Sequence, residues 1–261
     1  MAQPVAARTG LTRREVVLNG KTVVYYEGGT GPTLVFFHGG GTWEGIDFAA
    51  DWAKRFHVVF PYHPGWGESE DNPAIVGMGD YVLHYLDFLD ALKIDRFRLV
   101  GLSFGGWMAA EFAVSHSHRI EKLALVGAGG LVGPGAPPPD PERLNPKRFH
   151  ETMVVNSAVL EPFLPKGEDP DWYAARAREG GSAGKVFMAQ AQGRSIANWL
   201  HRVTVPTLVV WGEDDQIVSA KAAPLWMAGL PNATLKLMPR VGHLVLTESP
   251  EAVKLVADFM A

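Results

Sequence analysis

Ser103 stands in the run Gly101-Leu102-Ser103-Phe104-Gly105-Gly106, where an apolar stretch gives way to an alanine-rich one. A serine hydroxyl is a weak nucleophile near neutral pH, so it needs a base to take its proton and a third group to orient that base. His243, in Pro239-Arg240-Val241-Gly242-His243, has the chemistry of the base. Asp215, in Trp211-Gly212-Glu213-Asp214-Asp215-Gln216-Ile217-Val218, has that of the orienting acid. Asp214 is a rival by residue type alone. Glycines on both sides of Ser103 clear a sharp strand-to-helix turn in which its hydroxyl is exposed. Such a set attacks a carbonyl carbon through a covalent intermediate and calls for no metal or organic cofactor.

The attacked carbonyl oxygen becomes negative and needs hydrogen-bond donors. The backbone N–H of Phe104, at the start of the helix after Ser103, is one candidate, because a helix N-terminus presents free donors and a favourable dipole. The second is Gly40, or else Gly41, in Phe36-Phe37-His38-Gly39-Gly40-Gly41. His38 is expected to brace this loop through a hydrogen bond. Trp43, Trp107 and Leu244 are the expected substrate contacts, with Phe104, and Trp172, Tyr173, Phe187 and Met188 are further candidates for an apolar pocket. The pair His116 and His118 lies at a predicted helix end with no carboxylate beside it. It suits contact with terminal helix carbonyls better than a metal.

These groups must be carried to one place by regular elements. β-branched and aromatic runs recur at Leu34–Phe37, Val58–Phe60, Arg98–Leu102, Leu123–Val126, Thr207–Trp211 and Thr234–Leu237, each bounded by turn formers, as buried parallel strands are. Asn19-Gly20 between Val16–Leu18 and Lys21–Tyr26 predicts an antiparallel hairpin ahead of them. Tyr81, Leu83, Tyr85, Leu86, Leu89 and Leu92 predict one helical face, and Ala252, Val253, Leu255, Val256 and Phe259 another. Alternating strands and helices make the fold class α/β, a mostly parallel doubly wound sheet with an N-terminal antiparallel hairpin. Gly-Pro-rich sequence after Val126 interrupts the alternation until Pro206. The organisation expected is a core over residues 1–127 and 204–261, with an inserted helical cap over 128–203.

The 261 residues carry a net charge of −4 with scattered Lys and Arg, so no basic stripe offers itself to nucleic acid. With no cysteine, thiolate chemistry, disulfides and Cys-ligated metals are excluded. No run has the length of a signal-peptide core or a membrane span, so a cytoplasmic protein without membrane association is expected, free to form a homodimer.

From Val16 to Met260 the chain resembles α/β-hydrolases of the cap-bearing esterase, lactonase and C–C hydrolase type. The order Ser, Asp, His is theirs. The His38-Gly39 loop, the turn Pro64-Gly65-Trp66-Gly67-Glu68-Ser69, and Gly242-His243 followed by Glu248-Ser249-Pro250-Glu251 resemble their signatures. The family pattern Gly-x-x-Asp-x-Ile/Val-Val selects Asp215 over Asp214. Tyr62 departs from the acid many members carry at that position. A serine at the turn, where other members of this fold carry aspartate, argues against dehalogenase and epoxide hydrolase chemistry. The resemblance implies hydrolysis of a small-molecule carboxylic ester through an acyl-enzyme. The alternative is a C–C bond hydrolase of vinylogous diketones, or an enol-lactone hydrolase. C–C hydrolases typically show His-Gly-x-Gly-Pro-Gly and Gly-His-Trp, whereas here Thr42-Trp43 follows Gly41 and Leu244 follows His243. A binding protein that kept the fold without turnover is the remaining class.

Overall fold

The computed structural model describes residues 5–43, 45–133, 136–190 and 195–261. Its first two strands, β1 (Thr12–Leu18) and β2 (Lys21–Gly28), pair antiparallel across Asn19 and Gly20, whose φ angles of 50° and 76° are those of the tight hairpin turn. The remaining strands are β3 (Thr33–Phe37), β4 (His57–Pro61), β5 (Phe97–Leu102), β6 (Ile120–Val126), β7 (Thr207–Gly212) and β8 (Ala233–Met238). They complete one eight-stranded sheet in the order β1-β2-β4-β3-β5-β6-β7-β8. From β4 onward every neighbouring pair is parallel.

Parallel strands are covered on both faces, so their sequences are apolar without alternation. β7 is buried at every position, whereas β8, at the sheet edge, is largely open. Among the described residues, four helices have eleven residues or more: α1 (Met78–Ala91), α2 (Phe104–His116), α3 (Pro170–Gln190) and α4 (Pro250–Met260). α2 lies at the centre and is buried from Phe104 to Val114, which explains why its sequence shows no polar face. On α1, Tyr81, Tyr85 and Leu89 are buried at the spacing of one helical stripe, but Leu83 is 61% exposed. Two residues of a helix turn the chain by about 200°, so Leu83 belongs to the opposite side from Tyr81.

Between β6 and β7 the chain leaves the sheet. Among the described residues, this inserted segment holds α3, a short helix at Phe149–Thr152 and 3₁₀ turns at Pro141–Leu144, Pro146–Arg148, Ser157–Leu160 and Ile196–Arg202. Asp140, Asn145, Asn156 and Ser195 each cap one of those turns by accepting a backbone N–H. Pro134 and Gly135 of the Gly-Pro-rich run lie outside the described residues. Among the described residues no helix is long and apolar enough to cross a membrane.

Candidate active site

Ser103 follows the end of β5 with φ 55° and ψ −113°, a conformation strained for a residue with a side chain. The turn is held by the Ser103 N–H donating to Val126 O at 2.9 Å, and by the Ser103 carbonyl accepting from Gly129 N at 3.0 Å. The neighbouring glycines have a packing reason. A Cβ on Gly101 would lie 2.4 Å from Gly105 O, and one on Gly105 would lie 2.2 Å from Phe37 O. The crossing of α2 over β3 and β5 is therefore too close for any side chain there.

His243 reaches Ser103 from the loop after β8, and Asp215 reaches His243 from the loop after β7. His243 Nε2 is 2.8 Å from Ser103 Oγ and His243 Nδ1 is 2.8 Å from Asp215 Oδ2. Asp215 Oδ1 accepts the N–H groups of Ile217 and Val218 at 2.8 and 2.9 Å, which turns Oδ2 toward the imidazole. With Nδ1–H donating to Asp215, Nε2 is left to accept the serine proton. Trp211 closes the acid loop from beneath, its Nε1 donating to Val218 O at 2.8 Å. Asp214 is exposed and its side chain has no part in this chain of contacts. The His243 loop has its own anchor: Glu248 accepts Gly242 N–H through one oxygen, and Val155 and Asn156 N–H through the other.

The Gly39–Gly41 loop rests on two stacked imidazoles, with His38 and His63 ring centroids 3.6 Å apart. His38 Nδ1–H donates to Gly39 O at 2.7 Å, and His38 Nε2 accepts His63 N–H at 3.0 Å. His63 Nε2–H returns a bond to His38 O at 3.0 Å, and its Nδ1 accepts the Tyr85 hydroxyl. Each ring thus uses one nitrogen as donor and one as acceptor, which is the neutral form. Burial holds His38 down to about 3 and His63 well below the ordinary histidine range. Tyr62 fills the space beside the next turn, where a Cβ on Gly67 would lie 2.7 Å from its ring. Among the described residues, no protein acceptor takes the backbone N–H of Gly40, Gly41 or Phe104.

These groups open on a cavity of about 950 Å³ lined by Gly40, Gly41, Ser103, Phe104 and His243, by Trp43, Trp107 and Leu244, and by the inserted segment. α3 contributes Gly180 and Gly184, and a Cβ on either would meet nothing within 4 Å. Their lack of side chains leaves volume for a ligand. Tyr173 and Phe187 also line the cavity, but Trp172 and Met188 do not: Met188 is 75% exposed and Trp172 packs edge-on to Trp43 and Phe149. Two charged residues face the same space unannounced by the sequence pattern, Arg176 and Glu179, paired at 2.9 Å and nearly fully buried. His116 and His118 lie apart from the cavity lining. His116 Nδ1 is buried without a hydrogen-bond partner, so the expected contact with helix carbonyls is absent at that nitrogen.

A family model described as the alpha/beta hydrolase family matches residues 34–254. The chain belongs to that family. Among curated relatives of this alpha/beta hydrolase, a 2-hydroxy-6-oxononadienedioate/2-hydroxy-6-oxononatrienedioate hydrolase of Paraburkholderia phymatum is 30% identical, over 94% of this chain and 93% of the relative. A 2-hydroxy-6-oxo-6-phenylhexa-2,4-dienoate hydrolase of Burkholderia cepacia is 28% identical over 90% of each. Among solved structures, a bacterial membrane phospholipase A superposes with a TM-score of 0.82 at 24% identity, covering 98% of this chain and 87% of that one. At that identity the likeness concerns the fold alone. The alpha/beta hydrolase chain therefore places its serine, histidine and aspartate in one hydrogen-bonded line at the end of its sheet, beside a largely apolar cavity.

Proposed function

We propose that this alpha/beta hydrolase cleaves a carbon–carbon bond in a 2-hydroxy-6-oxo-dienoate type of substrate through an acyl-enzyme. The observation that carries the reading is the line Asp215–His243–Ser103 opening beside unclaimed backbone donors onto a cavity of about 950 Å³. The choice of bond is supported by the activity named for relatives that match nearly the whole chain. The 2-hydroxydienoate first ketonises, its hydroxyl proton moving to C5, so that C5 is saturated and linked through C3=C4 to the C2 carbonyl. Ser103 Oγ then attacks the C6 ketone carbon while His243 Nε2 takes its proton, and Asp215 steadies the imidazolium. The oxyanion is held by the N–H of Phe104 and that of Gly40 or Gly41. Its collapse breaks the carbon–carbon bond. The released electron pair spreads into the conjugated carbonyl as a dienolate, which the His243 proton neutralises. Water activated by His243 then hydrolyses the acyl-serine and frees the acid.

Residues 128–203 act as a cap over this site, with 1–127 and 204–261 as the core. Trp43, Trp107 and Leu244 contact the apolar part of the substrate, and Arg176 brings positive charge to the wall for its carboxylate.

Carboxylic-ester hydrolysis is the second reading, favoured by Thr42-Trp43 after Gly41 and by Leu244 after His243. One comparison separates the two: kinetics with 2-hydroxy-6-oxo-6-phenylhexa-2,4-dienoate and the nonadienedioate against p-nitrophenyl acetate and butyrate. Loss of the dienoate's visible absorbance should proceed with kcat/KM at least about 10-fold above either ester. The reverse preference would make the protein a carboxylesterase.

A further inference from the structure

We propose that Glu179, on the inserted helix α3, is a positioning residue that holds the oxyanion loop in register with Ser103. The proposal rests on the reading of Ser103 as nucleophile and of the Gly40–Gly41 loop as donor. Glu179 is 1% exposed, and its carboxylate gathers four donors from three elements. Oε1 accepts Thr42 Oγ1–H at 2.6 Å, Gly67 N–H at 3.2 Å and Arg176 Nη2–H at 2.9 Å; Oε2 accepts Thr42 N–H at 3.3 Å. Thr42 is the residue directly after Gly41. Two residues on the other side, the Gly40 carbonyl accepts Trp66 Nε1–H at 3.1 Å, from the turn that also holds Gly67.

The Gly41 amide therefore lies between two external anchors, Trp66 on the Gly40 carbonyl and Glu179 on Thr42. The Gly40 amide precedes both and shares its peptide with Gly39 O, which accepts from His38. Packing does not hold Gly40 there, since a Cβ on it would meet nothing within 4 Å. A glycine pair has the widest backbone freedom, so its direction depends on what fixes its ends. One end is fixed by the core through Trp66 and the other by the inserted segment through Glu179. Hydrogen bonds to a carboxylate are stronger than neutral ones, and the one from Thr42 Oγ1, at 2.6 Å, is the short bond of this set. A donor displaced by a fraction of an ångström loses most of its effect on the transition state while leaving ground-state binding little changed. Glu179 thus acts on turnover through the loop, without touching the reacting atoms.

Wild type, Glu179→Gln and Glu179→Ala are compared on p-nitrophenyl acetate, an uncharged substrate that the altered charge around Arg176 does not attract. A trifluoromethyl ketone, whose hemiketal oxyanion occupies the donor loop, serves as inhibitor. In Glu179→Ala, kcat is expected to fall roughly 10- to 100-fold with KM within about twofold, and inhibitor affinity to fall by the same factor. Glu179→Gln, which keeps an acceptor for Thr42 Oγ1 and Gly67, should recover most of both. If the alanine variant does not fold, Glu179→Gln and Thr42→Val carry the comparison, with Thr42→Val expected to lower kcat and inhibitor affinity together. Unchanged kcat and inhibitor affinity in folded variants would overturn the proposal, as would a rise in KM alone. Wild type inert both to the ester and to a fluorophosphonate would instead overturn the reading of Ser103 on which it rests.

Discussion

The C-terminal edge of the sheet and the segment inserted after β6 form opposite walls of one cavity, and they are built differently. On the sheet side, Ser103, Asp215 and His243 each follow a strand, β5, β7 and β8 respectively, and inherit their positions from the backbone ladders of the parallel sheet. On the inserted side, short 3₁₀ turns rely on single side-chain caps, and α3 turns Gly180 and Gly184 toward open space. One wall fixes atoms to within a hydrogen bond. The other leaves volume. On the proposed reading, chemistry and substrate shape fall to different parts of the chain, joined through the carboxylates of Glu179 and Glu248.

The sharpest break in that comparison is Ser103→Ala, expected to lower kcat by about 10⁴-fold or more with the fold intact. Fluorophosphonate labelling read by mass spectrometry should vanish with it, and robust residual turnover would move the nucleophile elsewhere. Asp215→Asn should follow at about 10³- to 10⁴-fold, because an amide no longer fixes the His243 tautomer. Asp214→Asn, one residue away and exposed, should stay within about twofold on the same substrate. Equal losses at both positions would show that the acid had been misassigned.

A further contrast lies in how deeply histidines are buried. His38 and His63 are buried neutral beneath the sheet-side loop, whereas His150 of the inserted segment is exposed. Burial depresses the folded-state value of the first two, to about 3 for His38, while in the unfolded chain both titrate near about 6.5. Below that unfolded value the unfolded chain binds protons that the folded one refuses. Their contribution is therefore complete above about pH 6.5 and is lost as pH falls toward the folded values. Urea unfolding should therefore show lower stability at pH 5 than at pH 7, with His84, which burial holds down to about 4, adding to the loss. Equal stabilities at the two pH values would contradict neutral imidazoles.

The smallest effect is on the inserted side. Gly184→Val places methyl groups in the cavity and should lower kcat/KM for the phenyl-substituted dienoate about 10-fold, with p-nitrophenyl acetate within about twofold. A uniform loss on both substrates would mean that α3 shapes the chemistry rather than the fit.

Much of the sheet side could be read from sequence because its signals are local. Gly101, Gly105 and Gly106 announce the turn at Ser103, and Asp215 stands at a fixed distance from Gly212 within one loop. The buried strands declare themselves by unbroken apolar runs, as in Leu123–Val126. Leu83 was misplaced because an apolar residue on a helix need not share the face of its neighbours. Arg176 and Glu179 were missed for a deeper reason: an i, i+3 ion pair in a polar helix looks like a solvated surface. Nothing local tells that the pair faces a cavity and three backbone or hydroxyl donors. Those partners lie up to 137 residues away in the chain.

The order of the strands also bears on how the molecule is made. β6 pairs on one side with β5 and on the other with β7, yet the whole inserted segment separates β6 from β7 along the chain. A ribosome releases the first six strands while the partner for the free side of β6 is still being synthesised. During that interval Leu123, Ala124, Leu125 and Val126, all 0% exposed in the finished protein, border an open hydrogen-bonding edge. The nascent chain thus passes through a stage prone to pairing with itself or its neighbours, and the yield of soluble protein should depend on how quickly Thr207–Gly212 docks.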